Sequence, residues 1–253
     1  MLLQRTAVIL GAILLVLFLF TGLVRAVLSL HTVGLRTVLS VAGSDLPRDE
    51  HGFTNLLLLG QGDVSHDGRD LTDTVMVASM DPKTKSIVLL SLPRDLYFLR
   101  TAKMGKGRLN SLYRDTKGFF RSRGMETEEA SLEAMQELRR EISDTLGLTI
   151  HHVLKVDFEG FEQAIDALGG VDLEVPYDIV DTEYPGPDYT YETFTIPFGP
   201  QHLDGALSLK YVRSRHTTSD FDRAARQQQL LQALGDKVKR EGTLRSPANL
   251  AAL

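Results

Sequence analysis

Apolar and polar positions divide the chain into an unbroken apolar head and a patterned remainder. From Thr6 to Val24 no charged residue occurs, and Arg5 and Arg25 bracket the run. At 1.5 Å per residue, roughly 19 helical residues span about 28 Å, close to the hydrocarbon thickness of a bilayer. The run has no polar face to meet water, which argues against a core helix. It continues through Ala26-Val27-Leu28 without a small-x-small site, which favours an anchor over a cleaved signal peptide. The expected division is a cytoplasmic stub at 1–5, a transmembrane helix at 6–28, a stalk at 29–52 and a soluble domain at 53–253. Gly43-Ser44-Asp45 and Pro47 supply the stalk's turn signals. Arg5 is nearly balanced by Arg25 and Arg36, so charge specifies the orientation only weakly.

Beyond the stalk, Thr54–Gly60, Val75–Met80 and Ile87–Leu92 are short apolar runs of the kind that form doubly buried strands. The turn Asp81-Pro82-Lys83-Thr84-Lys85 predicts that the second and third form a hairpin. Leu132, Met135, Leu138, Ile142 and Leu146 recur at helical spacing and predict a helix over 128–146. A strand follows at 153–156, a helix at 161–168 closed by Gly169-Gly170, a strand at 171–175 and an amphipathic helix at 227–239. Alternating strands and helices predict an α/β fold, a mixed sheet with helices packed on its faces.

Composition narrows the chemistry. The chain has 253 residues, 43% hydrophobic and 24% charged, which is globular rather than disordered. A formal charge of −5 gives no global basic field for nucleic acid. No cysteine is present, which removes disulfides, thiolate metal sites and a cysteine nucleophile. Charge is unevenly placed: between Val156 and Leu209 there are about a dozen acidic residues and no Lys or Arg. From Gly205 to Arg245 about nine basic residues face about four acidic ones. Lys237, Lys239 and Arg240 read as a solvated helix face.

Three places could carry chemistry. In Tyr211-Val212-Arg213-Ser214-Arg215, read as a strand, Arg213 and Arg215 point to one side. Guanidinium forks match phosphate oxygens, so an anion would join the two like charges. In Asp220 to Gln228, read as a helix, Arg223, Arg226 and Gln227 share one face. The alternative is a surface network in which Asp220 and Asp222 pair these arginines. The second place is Ser91-Leu92-Pro93-Arg94-Asp95, an arginine at a strand end where open α/β sheets bind ligands. The third is Leu71-Thr72-Asp73-Thr74, preceded by Asp63, Asp67 and Asp70. Carboxylates without His or Cys partners suit a hard cation such as Mg²⁺, while Asp70 reads as an ordinary turn residue. No G-x-x-x-x-G-K-[ST], G-x-S-x-G or H-E-x-x-H pattern occurs.

Taken in order, Asn55–Gly60, Thr72-Asp73-Thr74, Ser91–Asp95, Asn110, Val156–Phe161, Leu168–Val171, Tyr211–Arg215 and Asp220–Gln228 resemble the LytR-CpsA-Psr family. The resemblance covers about residues 53 to 240 and includes the membrane anchor. It implies a three-layer α/β/α sandwich and an extracytoplasmic catalytic domain on a single-pass protein of the bacterial cell membrane. It also implies a Mg²⁺-dependent phosphotransferase that moves a glycan from a polyprenyl pyrophosphate carrier onto peptidoglycan as a phosphodiester. Carried over by position, Arg94, Arg213, Arg215, Arg223 and Gln227 would hold the pyrophosphate, and Asn110 belongs to the same substrate-binding set. Asp220 would orient the arginines. Arg94 and Asp73 would be the catalytic pair, with Asp73 and Asp63 on the metal and Asp67 as competitor. The chain departs from the family's R-[ST]-D-T pattern, with Leu71 in the arginine's place and Arg69 two residues earlier. That departure sustains an alternative: a polyprenyl-pyrophosphate hydrolase or lipid-binding module on the same fold. A membrane-anchored regulatory scaffold is a third reading, which no DNA-binding motif supports.

Overall fold

A computed structural model of the chain describes residues 46–62, 70–81, 83–84, 86–97, 100–101, 105–186, 190–215 and 219–241. The expected membrane helix, most of the stalk, and Asp63, His66, Asp67 and Arg69 lie outside them. Among the described residues no helix is long and apolar enough to cross a membrane. The described residues fall into two compact units, 46–159 and 160–241.

The first unit contains β1 (Thr54–Gln61), β2 (Thr72–Asp81), β3 (Ser86–Leu92), β4 (Arg100–Thr101), β5 (Gly105–Lys106), α1 (Leu109–Ser122), α2 (Thr127–Leu146) and β6 (His152–Val156). Its sheet runs β3-β2-β1-β6. The β1–β2 and β2–β3 pairs are antiparallel and β1–β6 is parallel, so the sheet is mixed and the predicted hairpin is present. Leu57, Leu59, Val75 and Val77 project from one face into a core shared with Leu112 and Tyr113 of α1 and Leu138 and Ile142 of α2. β1 is not doubly buried as its composition predicts: Leu57 and Leu59 are buried, while Leu56 and Leu58 are only half-buried. β3 departs further. It lies at the end of the sheet order, and Ile87, Val88 and Leu90 are exposed. A run of apolar residues reports affinity for a sheet, not the number of neighbours the strand acquires. Leu132 of α2 is likewise exposed, and Gly147 ends that helix at φ 65°, a left-handed cap favourable to glycine.

The second unit opens within α3 (Phe158–Ala167) and contains β7 (Val171–Val175), β8 (Ile179–Pro185), β9 (Tyr191–Ile196), β10 (Gly199–Leu203), α4 (Gly205–Arg213) and α5 (Asp220–Glu241). β7 pairs with β10 and β8 with β9, both antiparallel. Ile165, Val171, Ile179, Phe194, Tyr211 and Leu230 belong to one core. Gly170 closes α3 at φ 75°, where a Cβ would stand 2.8 Å from the Leu203 carbonyl oxygen and closer still to the His202 ring. Lys237 departs from the solvated-face reading, which exposed Arg240 fits. It is 6% exposed, and its Nζ donates to the Gly169 and Gly170 carbonyls at 3.0 and 2.9 Å. The cation thereby satisfies carbonyls left by the end of α3.

The Tyr211–Arg215 segment is not a strand. Asp204 caps α4 by accepting from the Leu207 backbone N–H at 2.8 Å, and Ser208, Leu209, Tyr211 and Val212 are buried at helical spacing. Arg213 is the last residue of that helix and Ser214 its C-cap. The two arginines are therefore set by a helix end rather than by strand alternation.

Candidate functional site

In the first unit three element ends converge on Asp73. The second residue of β2, it accepts at Oδ1 from Arg94 Nη1 and from Asn110 Nδ2, each at 3.1 Å. Arg94 follows the β3 end through Pro93, and Asn110 is the second residue of α1. The backbone locks this register: Asn110 N–H donates to the Arg94 carbonyl at 3.0 Å and Leu109 N–H to the Leu96 carbonyl at 2.9 Å. Two of the amides that begin α1 are thus satisfied by the turn after β3. The buried Thr72 hydroxyl donates to the Asn110 carbonyl at 3.3 Å. Arg94 also lies 3.5 Å from Asp95, which receives Arg108 at 3.4 Å. The side chain of Asp73 is 49% exposed, so its carboxylate can meet a ligand from solvent.

Asp70 is more than a turn residue. At φ 65° it places its carboxylate 2.8 and 2.9 Å from Lys117 Nζ and 3.2 Å from Gln61 Nε2. Lys155 donates to Gln61 Oε1 at 2.6 Å, and burial, then Lys117 nearby, lower its ammonium pKa. Asp70 thereby ties β1, β2 and α1 together and is not disposed as a metal ligand. Among the described residues no three His, Asp or Glu gather as a metal site.

In the second unit the turn Arg213-Ser214-Arg215 is built on buried polar groups. Ser214 Oγ and the Arg215 backbone N–H both donate to Asp181 Oδ2 at 2.9 Å. Arg226, 3% exposed, donates from Nε to the Tyr211 carbonyl at 3.0 Å and from Nη2 to the Ser214 carbonyl. Arg213 Nη1 donates to the Tyr184 hydroxyl at 3.1 Å, and its guanidinium stands 5.3 Å from that ring's centre. Burial pushes the Tyr184 phenol up, so it stays protonated beside the arginine. Arg223 pairs with Asp220 at 3.3 Å, and Gln227 Nε2 donates to the Val212 carbonyl at 3.5 Å. Asp222 does not pair the arginines. It accepts from the Ser219 hydroxyl at 2.7 Å and backbone N–H at 2.8 Å, while its own N–H donates to Ser219 Oγ, a capping box for α5.

The structure thus brings Asp73, Arg94 and Asn110 into contact in one unit, and in the other places Arg213 at the end of α4, Arg215 two residues beyond it, and Asp220, Arg223 and Gln227 on α5. Sequence reasoning missed Asp181 and Tyr184, which sit in an acidic stretch without a recognisable motif. It placed Arg226 on an anion-binding face, whereas its buried guanidinium caps α4.

The LytR_cpsA_psr family model matches residues 35–252. The cell wall biosynthesis protein LcpA of Corynebacterium glutamicum is 34% identical over 232 residues, 86% of this chain and 42% of the relative. The polyisoprenyl-teichoic acid–peptidoglycan teichoic acid transferase TagV of Bacillus subtilis is 29% identical over 191 residues, 73% of this chain and 43% of TagV. The chain spans less than half the length of either relative. The crystal structure of B. subtilis TagV superimposes with a TM-score of 0.55, covering 75% of this chain and 66% of that one. TagT (YwtF), solved with bound octaprenyl pyrophosphate lipid, shares the fold at a TM-score of 0.50 and 20% identity, covering 77% of this chain and 69% of that one. With the family model covering most of its length, the chain belongs to the LytR-CpsA-Psr family.

Proposed function

We propose that the chain is a membrane-anchored extracytoplasmic phosphotransferase that moves a glycan from a polyprenyl pyrophosphate carrier onto peptidoglycan. The observation that carries this reading is the Arg213-Ser214-Arg215 turn, in which the Arg213 guanidinium and the Arg215 backbone are fixed on either side of one buried serine. Such a pair suits a diphosphate, whose oxygens accept bidentate, charge-assisted hydrogen bonds. TagV's transferase activity and TagT's octaprenyl pyrophosphate supply the substrate class. In the reaction, an acceptor sugar hydroxyl attacks the phosphorus next to the glycan. A new P–O bond forms, the bond to the bridging oxygen breaks, and polyprenyl monophosphate leaves with its electron pair while the hydroxyl proton passes to solvent. Arg213, Arg215 and Arg223 of the second unit stabilise the charge that develops on the departing phosphate, and Arg94 of the first unit is the catalytic partner of Asp73. Asp220 orients Arg223, and Asn110 holds Asp73 in place.

Mg²⁺ fits the donor chemistry, a half-exposed carboxylate in the second residue of β2 whose partners among the described residues are Arg94 and Asn110. Asp73 would hold it, with Asp63 as second ligand and Asp67 as competitor, and the ion would keep several waters. When bound, it neutralises charge on the phosphate oxygens. A helix over 6–28 would fix the enzyme in the membrane beside its lipid substrate, and a three-layer α/β/α arrangement completes the domain.

The test combines the purified chain with a polyprenyl pyrophosphate oligosaccharide, Mg²⁺ and short peptidoglycan strands, read by mass spectrometry. A strand heavier by one oligosaccharide phosphate, with polyprenyl monophosphate released, is the expected result. Monophosphate released without a joined product would replace transfer by hydrolysis, the reading that Leu71 favours by occupying the family's arginine position. Lipid bound but unchanged would make the chain a binding module.

A further inference from the structure

β8 contains a register shift between Asp181 and Tyr184. In a regular strand these residues, three apart, face opposite sides. Here the intervening Thr182 and Glu183 are both exposed, and Asp181 and Tyr184 are both buried, at 1% and 3%. A bulge adds one residue to a strand and re-aims the side chains beyond it. This one is held by its own first residue, since the Glu183 backbone N–H donates to Asp181 Oδ1 at 3.2 Å. Its effect is to deliver two side chains of one strand to the same turn. Asp181 takes Ser214 and the backbone of Arg215, and Tyr184 takes the guanidinium of Arg213.

We propose that the β8 bulge is the positioning device of the arginine pair: Asp181 fixes the turn between Arg213 and Arg215, Tyr184 fixes the Arg213 side chain, and together they set the pair's preference for a diphosphate over a single phosphate. The proposal rests on the anion-binding reading of these arginines and adds the residues that set its selectivity. Asp181 and Tyr184 are buried and bond the turn and the Arg213 guanidinium, so they are assigned as positioning residues. Tyr184 suits the task because a phenol can orient a guanidinium without neutralising it. Asp181 lies against the turn's serine and backbone, so its negative charge is spent on hydrogen bonds that shape the chain.

The test measures dissociation constants of the full chain for inorganic pyrophosphate and inorganic phosphate, in wild type, Tyr184→Phe, Asp181→Asn and Arg213→Ala. Their ratio reports spacing, which a simple loss of folded protein would not move. Tyr184→Phe keeps the buried ring and loses one hydrogen bond. Asp181→Asn sets an amide NH₂ against a donor in either orientation, the Glu183 N–H at one end or the Ser214 hydroxyl and Arg215 N–H at the other, so it loosens either the bulge or the turn. Each is expected to narrow the preference for pyrophosphate about fivefold, the equivalent of one hydrogen bond. Arg213→Ala is expected to abolish the preference. Should Asp181→Asn fail to fold, Tyr184→Phe decides alone. An unchanged ratio in folded Tyr184→Phe, with the preference lost in Arg213→Ala, overturns the positioning role and leaves the anion site standing. Pyrophosphate binding untouched by Arg213→Ala overturns both.

Discussion

Arginine is presented in opposite ways in the two units. Arg94 lies half-buried beyond the end of a strand, held by two half-exposed carboxylates: Asp73 at 3.1 Å and Asp95 at 3.5 Å. Arg213 leaves the end of a helix against a phenol, and the turn it begins is shaped by the buried Asp181 and Arg226. The first arrangement is electrostatic and can be remade when a ligand or cation enters, since a surface-accessible ion pair is worth little by itself. The second is architectural. Its geometry comes from desolvated hydrogen bonds, which are costly to break and cannot be exchanged for water. One chain can thus separate a responsive arginine from one held by architecture.

The sharpest way to break this comparison is to remove one arginine of each kind. Arg94→Ala is expected to lower transfer by at least about a hundredfold, the scale for losing one charge-stabilising donor. The unfolding midpoint should hardly move, because the Arg94 backbone carbonyl, not its side chain, receives α1. Arg226→Ala should do the reverse in origin: a loss of about 3 kcal/mol in folding free energy, because the Tyr211 and Ser214 carbonyls would stay buried without their donor. Transfer rates and denaturant unfolding on both variants check the pair. A marked fall in the midpoint of Arg94→Ala would make the first cluster architectural as well.

Lys237 sharpens the architectural side. Lys237→Ala leaves the Gly169 and Gly170 carbonyls without the ammonium and opens space at the end of α3. The expected cost is about 2 kcal/mol of stability with the transfer rate per folded molecule unchanged. Stability equal to wild type in the same denaturation would return Lys237 to the solvated face that its charge implies.

That lysine also marks where sequence stops being legible. The mixed α/β fold, the β2–β3 hairpin, and the helices read over 128–146 and 227–239 followed from periodicity, because a local pattern of burial is what those elements are made of, although the last helix begins earlier, at Asp220. Contact of Arg94 and Asp73 was within reach, since both were placed at strand ends. Buried charge was not. Lys237, Arg226 and Asp181 are strongly polar letters, and their burial depends on carbonyls and hydroxyls that only the folded chain brings to them. The bulge in β8 hides for a related reason: it interrupts the two-residue alternation by which a strand is recognised. Arg213-Ser214-Arg215 misled as a strand because its alternation of charge is local, whereas the helix preceding it is defined by residues from Gly205 onward.

The smallest effect compares the two cores. Tyr113 in the first unit and Tyr211 in the second are fully buried, and burial pushes both phenols up to about 12. Each hydroxyl keeps a neutral partner: Ser131 Oγ at 2.6 Å for Tyr113, and Gln229 Oε1 at 2.6 Å for Tyr211. Near Tyr211 the Arg226 cation pulls in the opposite direction, favouring the phenolate, while near Tyr113 the Asp70 charge adds to the rise. A phenol whose pKa is higher folded than unfolded contributes stability that is whole below about pH 10. That contribution is lost as pH climbs toward 12, because the unfolded chain gives up its proton first. Tyr113→Phe should therefore remove roughly 1 kcal/mol of the stability lost between pH 10 and 11. Tyr211→Phe is expected to match it, since burial is the leading cause at both positions. Denaturant unfolding at pH 8, 10 and 11 separates the cases. A clearly smaller correction at Tyr211 would mean that Arg226, the guanidinium holding the turn, also governs the proton of the tyrosine it caps.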